Sequence, residues 1–172
     1  MKNFPIKDKD GKEWWISRSI AVVIGLIAVN EDGERYVLTV RRGEGTPDPE
    51  YVGALCLPCG YLDYDETCEE AALRELKEET GLVMPKKSLK FIKYMDNPQK
   101  DKRQNVSMLY YINSPFSVEE INNMITTEFS EKDEVSEIKL IPIKDIFIYR
   151  WAFNHCDIIN KCISGYDFAA RQ

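Results

Sequence analysis

The apolar residues of this chain fall into stretches of two periods. From Ser19 to Val29 the sequence is almost continuously apolar and rich in β-branched residues, which predicts a strand. Asn30-Glu31-Asp32-Gly33 is a turn signal, and Tyr36 to Val40 is a second strand, so the pair reads as a hairpin. Trp14 to Ser17 predicts a short strand ahead of it. Arg41 to Tyr51 carries Gly43, Gly45, Pro47 and Pro49 and reads as a loop. Ala54 to Leu57 is a short strand running into Pro58-Cys59-Gly60.

The period then changes. Thr67 and Glu70 have capping-box spacing, Ala72, Leu73 and Leu76 form an apolar stripe, and Gly81 supplies a stop. Glu70, Arg74 and Glu78 are spaced by four on another face and can pair. Strands are expected at Phe91 to Met95 and Val106 to Ile112, around a polar loop from Asn97 to Asn105. Ser117 and Glu120 open a short helix to about Thr127. Val135 to Ile141 is a strand, Pro142 to Phe147 a helical turn, and Trp151 to Ile163 a final helix. Several strand connections are too short for parallel crossovers. The expected class is α/β of the α+β type, a mixed β-sheet between helices in an αβα sandwich.

Composition narrows this picture. The 172 residues are 44% hydrophobic and 30% charged, without repeats or a Gly/Ser linker, as expected for one domain spanning 1–172. Its core is expected at 17–163, with 1–13 an N-terminal extension. The longest apolar run, Ile20 to Val29, is too short to cross a bilayer as a helix. The N-terminal residues have no apolar signal core, so a cytoplasmic location and no membrane partner are expected. The net charge of −6 disfavours binding to long nucleic acid. Cys56, Cys59, Cys68, Cys156 and Cys162 are an odd number and are expected reduced. Cys56 and Cys59 have CxxC spacing and could be drawn as a zinc site with His155, Cys156 and Cys162. With no second CxxC, packed thiols without zinc or disulfide are the expectation.

The chain's excess negative charge is concentrated between Gly60 and Gly81, where eight carboxylates face only Arg74 and Lys77. Glu75, Glu78 and Glu79 stand at i, i+3 and i+4 of the expected helix, spanning about 100° of its circumference. Three such carboxylates repel one another unless a hard cation neutralises them, and Mg²⁺ takes oxygen ligands of this kind. A solvated acidic helix face is the alternative.

The full segment decides between them. Gly60, five residues, Glu66, seven residues and then Arg74-Glu75-Leu76-Lys77-Glu78-Glu79-Thr80-Gly81-Leu82 resembles the signature of the Nudix hydrolase family at every fixed position. Chance agreement has odds of about one in 10⁹ per start site. The resemblance implies a pyrophosphohydrolase acting on a phosphoanhydride bond with Mg²⁺ or Mn²⁺. It implies metal binding by Glu75, Glu78, Glu79 and the carbonyl of Gly60, with Arg74 orienting a glutamate, plausibly Glu78. Glu66 would tie down the loop. The general base varies between subfamilies, and the choice lies between Glu79 and an acid just before the Val135 strand. Glu131, Asp133 and Glu134 stand there, and Glu134 is preferred. Cys59 departs from the Leu-Pro-Gly-Gly of many members, at a position where a glycine would allow unusual backbone angles.

The substrate expected from the resemblance is a nucleoside diphosphate linked to another moiety. Pro98-Gln99-Lys100-Asp101-Lys102-Arg103, leading into Val106-Ser107, is similar to members that handle ADP-ribose, as is Phe153-Asn154-His155. Lys100, Lys102, Arg103 and Arg42 are the candidate substrate-binding cations. Tyr110, Tyr111, Phe91 and Tyr94 are candidates to stack on a base, or core residues. The alternatives are a house-cleaning hydrolase of oxidised nucleoside triphosphates and a non-catalytic ADP-ribose-type sensor. A homodimer is compatible with the exposed edge strands expected in this architecture.

Overall fold

A computed structural model describes residues 2–101, 104–128 and 133–169, apart from the side chains of 100, 101 and 165–169. The chain opens with a two-stranded antiparallel hairpin, β1 (Phe4–Lys7) and β2 (Glu13–Ile16), within and beside the stretch expected as an extension. A seven-stranded sheet follows. At its centre, β3 (Ile20–Val29) runs antiparallel to β4 (Arg35–Arg42). β4 pairs with β5 (Leu55–Cys56), while β6 (Cys59–Tyr61) pairs with the first half of β3. β7 (Leu89–Met95) pairs antiparallel with β8 (Val106–Asn113), and β8 lies parallel to β3. The last strand, β9 (Val135–Pro142), pairs antiparallel with β4. The sheet is therefore mixed, as expected.

Strand β3 is buried from Val22 to Ala28, so both its faces serve as core. Val22, Ile24, Leu26 and Ala28 pack on one side with Ala71, Ala72 and Leu76 of α1 (Cys68–Thr80). Ile121 of α3 (Val118–Met124) joins them; α2 (Pro98–Asp101) is a single turn. Val23 and Ile27 face the other way, onto Ile158, Ile159 and Cys162 of α4 (His155–Ala169). The period of two in β3 thus builds the αβα sandwich. Each fully buried aliphatic side chain contributes about 1.5–3 kcal/mol.

Local signals fix α1. The Thr67 hydroxyl accepts from the Glu70 amide at 3.3 Å, and Glu70 accepts from the Thr67 amide at 2.8 Å. Gly81 closes the helix at φ 77, a left-handed backbone that suits glycine, and its N–H reaches Lys77 O at 2.7 Å. Ser117 and Glu120 form a second complete capping box.

Three expectations are corrected. The last helix begins at His155 rather than Trp151. Trp151 instead bridges Leu55, and Phe153 sits at φ 54, so the chain turns before it coils. Cys59 to Tyr61 form a strand rather than a loop, because β3 offers them a pairing edge. The polar loop after Met95 contains the turn α2, where Asn97 Oδ1 accepts from the Gln99 amide at 3.0 Å.

Candidate active site

The site is built where α1 runs beside β6. Arg74 is its hub. Its guanidinium donates to Glu66 at 2.7 and 3.1 Å, to Glu75 at 2.8 Å, to Glu78 at 2.9 Å and to Tyr61 O at 3.0 Å. Glu66 also accepts from the Asp63 amide at 2.8 Å, so it fastens the loop ahead of α1. Arg74 therefore orients Glu75 as well as Glu78.

Glu79 is 4% exposed and accepts from the Cys59 amide at 3.1 Å rather than from Arg74. The three glutamates do not close on one point as helical spacing alone suggested. Arg74 draws Glu75 and Glu78, while the strand amide draws Glu79.

Gly60 lies against Glu75 so closely that a β-carbon would overlap its carboxylate. Gly60 and Cys59 both avoid the left-handed region, so Cys59 costs no backbone strain in place of glycine. A side chain at position 60 would make the Glu75 carboxylate shift away.

Burial pushes the Glu75 carboxyl up to about 7 against the pull of Arg74, with Glu78 and Glu134 adding repulsion. Burial likewise holds the Glu79 carboxyl well above its ordinary range, with Cys59, Glu75 and Glu134 nearby. Crowded hard-oxygen donors beside a backbone that allows close approach fit a divalent cation such as Mg²⁺.

A cavity opens beside these groups. Its lining includes the group Gly60, Tyr61 and Glu134 and the group Phe153, Asn154 and His155, together with Arg42 and Pro47. Glu134 is carried by a backbone clamp. The Gly43 amide donates to Glu134 O at 2.7 Å and the Gly45 amide to Asp133 O at 2.8 Å. Asn105 and Ser107 reach the cavity from the start of β8.

Residues 19–162 match the family model of the NUDIX domain. The chain belongs to the Nudix family. It is 30% identical over 154 residues to an ADP-ribose pyrophosphatase of Methanocaldococcus jannaschii, covering 90% of this chain and 79% of that one. The NUDIX domain of Shewanella oneidensis NrtR, solved with ADP ribose, superposes with a TM-score of 0.70 at 22% identity, covering 92% of this chain and 93% of that one. A bifunctional NMN adenylyltransferase/ADP ribose pyrophosphatase of Francisella tularensis, solved with AMP and a manganese ion, gives 0.63 at 22% identity. It covers 86% of this chain and 42% of that one. These two likenesses bear on the fold alone. Membership and the curated relative agree with the pyrophosphohydrolase class expected from the motif.

Against this Nudix frame the remaining candidates separate. Glu134 and Arg42 line the cavity, as do Asn154 and His155. Lys100 lies in the backbone of α2, and Lys102, Arg103 and Glu131 lie outside the described residues. The aromatic candidates of β7 and β8 do not line the cavity. Tyr110 and Tyr111 are buried, and Phe91 packs edge-on against Tyr110 with ring centroids 5.6 Å apart.

Cys56, Cys59 and His155 come together with ligand atoms within 4.8 Å of one another, without Cys156 or Cys162. His155 Nδ1 accepts the Leu57 amide at 3.0 Å, so its lone pair is already used. A metal-binding imidazole instead donates from its second nitrogen. Ser107 and Phe153 stood in the sequence only as parts of the stretches similar to ADP-ribose-handling members, and neither Asn105's place at the cavity nor the left-handed backbone of Phe153 was foreseen. Only the aromatic preceding Asn154-His155 could have signalled the last of them.

Proposed function

We propose that this Nudix enzyme hydrolyses a nucleoside diphosphate linked to another moiety, with ADP-ribose or a similar nucleotide sugar as substrate. The observation that carries the reading is the cavity, which joins the carboxylate wall at Gly60 and Glu134 to an aromatic and amide wall at Phe153, Asn154 and His155. The first wall suits a diphosphate and its cation, and the second a sugar or base. The 30% identical relative named ADP-ribose pyrophosphatase supports the same class.

Mg²⁺ or Mn²⁺ would be held by Glu75, Glu78, Glu79 and the Gly60 carbonyl, and when bound would polarise a phosphoryl oxygen and offset developing charge. Arg74 keeps Glu75 and Glu78 aimed. Glu134, fixed by the Gly43 and Gly45 amides, accepts the proton of the attacking water. Arg42, Lys100, Lys102 and Arg103 supply positive charge for the diphosphate.

Product analysis on a substrate panel with Mg²⁺ tests this. ADP-ribose should yield AMP and ribose 5-phosphate faster than any nucleoside triphosphate yields pyrophosphate. Replacing Lys102 and Arg103 by Ala should raise KM for ADP-ribose more than it lowers kcat. A panel headed by an oxidised guanine triphosphate, with ADP-ribose inert, overturns the substrate and leaves the metal chemistry standing. A binding-only role is the second reading. Absence of turnover on every substrate, with ADP-ribose bound, would select it.

The same reading includes a homodimer and a cytoplasmic setting. The register of the first hairpin puts Phe4, Ile6, Trp14 and Ile16 in cross-strand pairs, and all four are exposed. Such an apolar face on a two-stranded unit suits burial against a second copy. All five cysteines are free thiols, which suits a reducing compartment.

A further inference from the structure

One row of the cavity lining crosses four strands. Tyr61 of β6 stands beside Ala21 of β3, Ala21 beside Ser107 of β8, and Ser107 beside Met95 of β7, and all four line the cavity. Two residues further along β3, Val23 lines it as well, on the side where Ile158 of α4 packs. Residues two apart on a strand share a face, so Ala21 and Val23 belong to one surface turned toward α4. Val23 and Met95 are buried and apolar. Ala21 and Ser107, in the middle of the row, carry the short side chains, and Tyr61 and Met95 the long ones at its ends. Adjacent strands lie about 4.8 Å apart, so the short pair leaves a shallow trough between taller ends. Such a surface receives the face of a heterocyclic ring better than a phosphate, whose lost hydration it could not replace. A thioether at one end also suits contact with a ring.

An amide stands at the edge of this trough. Asn105 is half-buried, lines the cavity and lies two residues before Ser107; its Nδ2 donates to Ser107 Oγ at 3.0 Å. It precedes β8, yet its backbone is held. The Val106 amide donates to Ser19 O at 2.8 Å, and the Arg18 guanidinium donates to Gln104 O and, at 2.9 Å, to Asn105 O. A side-chain amide carries two hydrogens on nitrogen and an acceptor oxygen. With one hydrogen given to Ser107, a hydrogen and Oδ1 remain next to each other. Among the described residues, neither has a further partner. Adenine offers the complement, an N6 amine beside the acceptor N7. Hypoxanthine puts O6 in place of that amine, so Oδ1 would face another oxygen.

We propose that the trough is the nucleobase subsite and that Asn105 is its specificity residue, selecting adenine through N6 and N7, with Ser107 the positioning residue that keeps the amide turned toward the base. This rests on the nucleotide-sugar reading above and adds which base the site takes and what reads it. The group at Phe153 and Asn154 is then left to a sugar.

Three substrates test this: ADP-ribose, its hypoxanthine counterpart IDP-ribose, and 7-deaza-ADP-ribose, which lacks the N7 acceptor. The preference is read in kcat/KM with Mg²⁺ and in Kd by calorimetry. The wild type should favour ADP-ribose over each of the other two by at least about 10-fold. Asn105→Ala should bring all three within about 3-fold of one another, with kcat for IDP-ribose little changed. Ser107→Ala should lower the preference about 3-fold, because the amide is then free to turn. A merely structural Ser107 would lower stability and leave the preference as it was, which overturns the positioning role. A wild type that treats adenine and hypoxanthine alike overturns the proposal without recourse to any variant. So does an Asn105→Ala enzyme that folds and keeps the wild-type preference. Either result leaves the nucleotide-sugar reading standing. If the wild type neither hydrolyses nor binds any of the three, that reading falls and this proposal with it.

Discussion

The two walls of the cavity are made in different ways. The carboxylate wall is backed by one short stretch: Gly60, which lines the cavity, and Glu66, Arg74, Glu75, Glu78 and Glu79 behind it lie within twenty residues, and Glu134 joins them from later in the chain. The aromatic wall is assembled from distant parts: Arg42 from the first half of the chain, and Phe153 and His155 from the end, with Tyr51 packed behind Phe153. The first wall crowds like charges and corrects them with one arginine. The second holds a cation among rings and thiols. On the proposed reading, the wall written in one stretch serves the reaction and the one gathered across the fold serves the ligand.

Replacing charge in the first wall should therefore have the largest effect. Glu78→Gln or Glu79→Gln removes one formal charge at constant size, and either is expected to lower turnover by at least about 100-fold. Steady-state rates with Mg²⁺ measure it. Near-wild-type rates in both variants, or full turnover after metal removal in excess chelator, would break the contrast at its strongest point.

The second wall should respond in stability before chemistry. His155→Ala leaves the Leu57 amide without the acceptor it now has at 3.0 Å. An orphaned buried N–H costs about 1–3 kcal/mol, with a further loss from the vacated ring. Urea unfolding should show that loss, while turnover per folded molecule changes by less than about 5-fold. A collapse of turnover with stability intact would move His155 into the chemistry and erase the distinction.

The smallest expected effect concerns pH. The Glu75 carboxyl, lifted to about 7 mainly by burial, holds its proton in the folded state over a range where the unfolded chain has released it. Glu79 acts in the same direction. The folded state then binds more protons than the unfolded one, so stability falls as pH rises from about 4.5 through about 7. Glu66, lowered by Arg74, acts in the opposite sense, and only at more acid pH. In chelator, the melting temperature should be lower at pH 8 than at pH 5.5, and Mg²⁺ should narrow the gap. A melting temperature that rises over this interval would show that the first wall is not self-repelling.

How far each wall could be read in advance follows from its construction. Thr67, Glu70 and Gly81 announce α1 because capping is a local hydrogen-bond problem, and the structure satisfies it as the sequence proposes. Gly60 was legible as a position, but its cause was not. The near-overlap with Glu75 arises only when β6 pairs with β3 and lays Gly60 beside the helix. Arg42 read as one cation among several, since nothing local tells a solvated arginine from a buried one. Trp151 to Asn154 read as helix because their polarity suits one. A bridge to Leu55, about a hundred residues earlier, overrides that preference, and no local pattern reports such a partner.

The parallel pairing of β3 with β8 sets the order in which these walls can appear. Ile20 lies beside Val106, so one side of the central strand waits for a partner that follows the whole of α1. On a ribosome, β3, β4 and the capped helix emerge first, with local signals enough to begin forming. The flank of β3 stays bare until β8 has been made. Pairing across so long a stretch of chain is slow, and a bare apolar strand is prone to wrong association in the meantime.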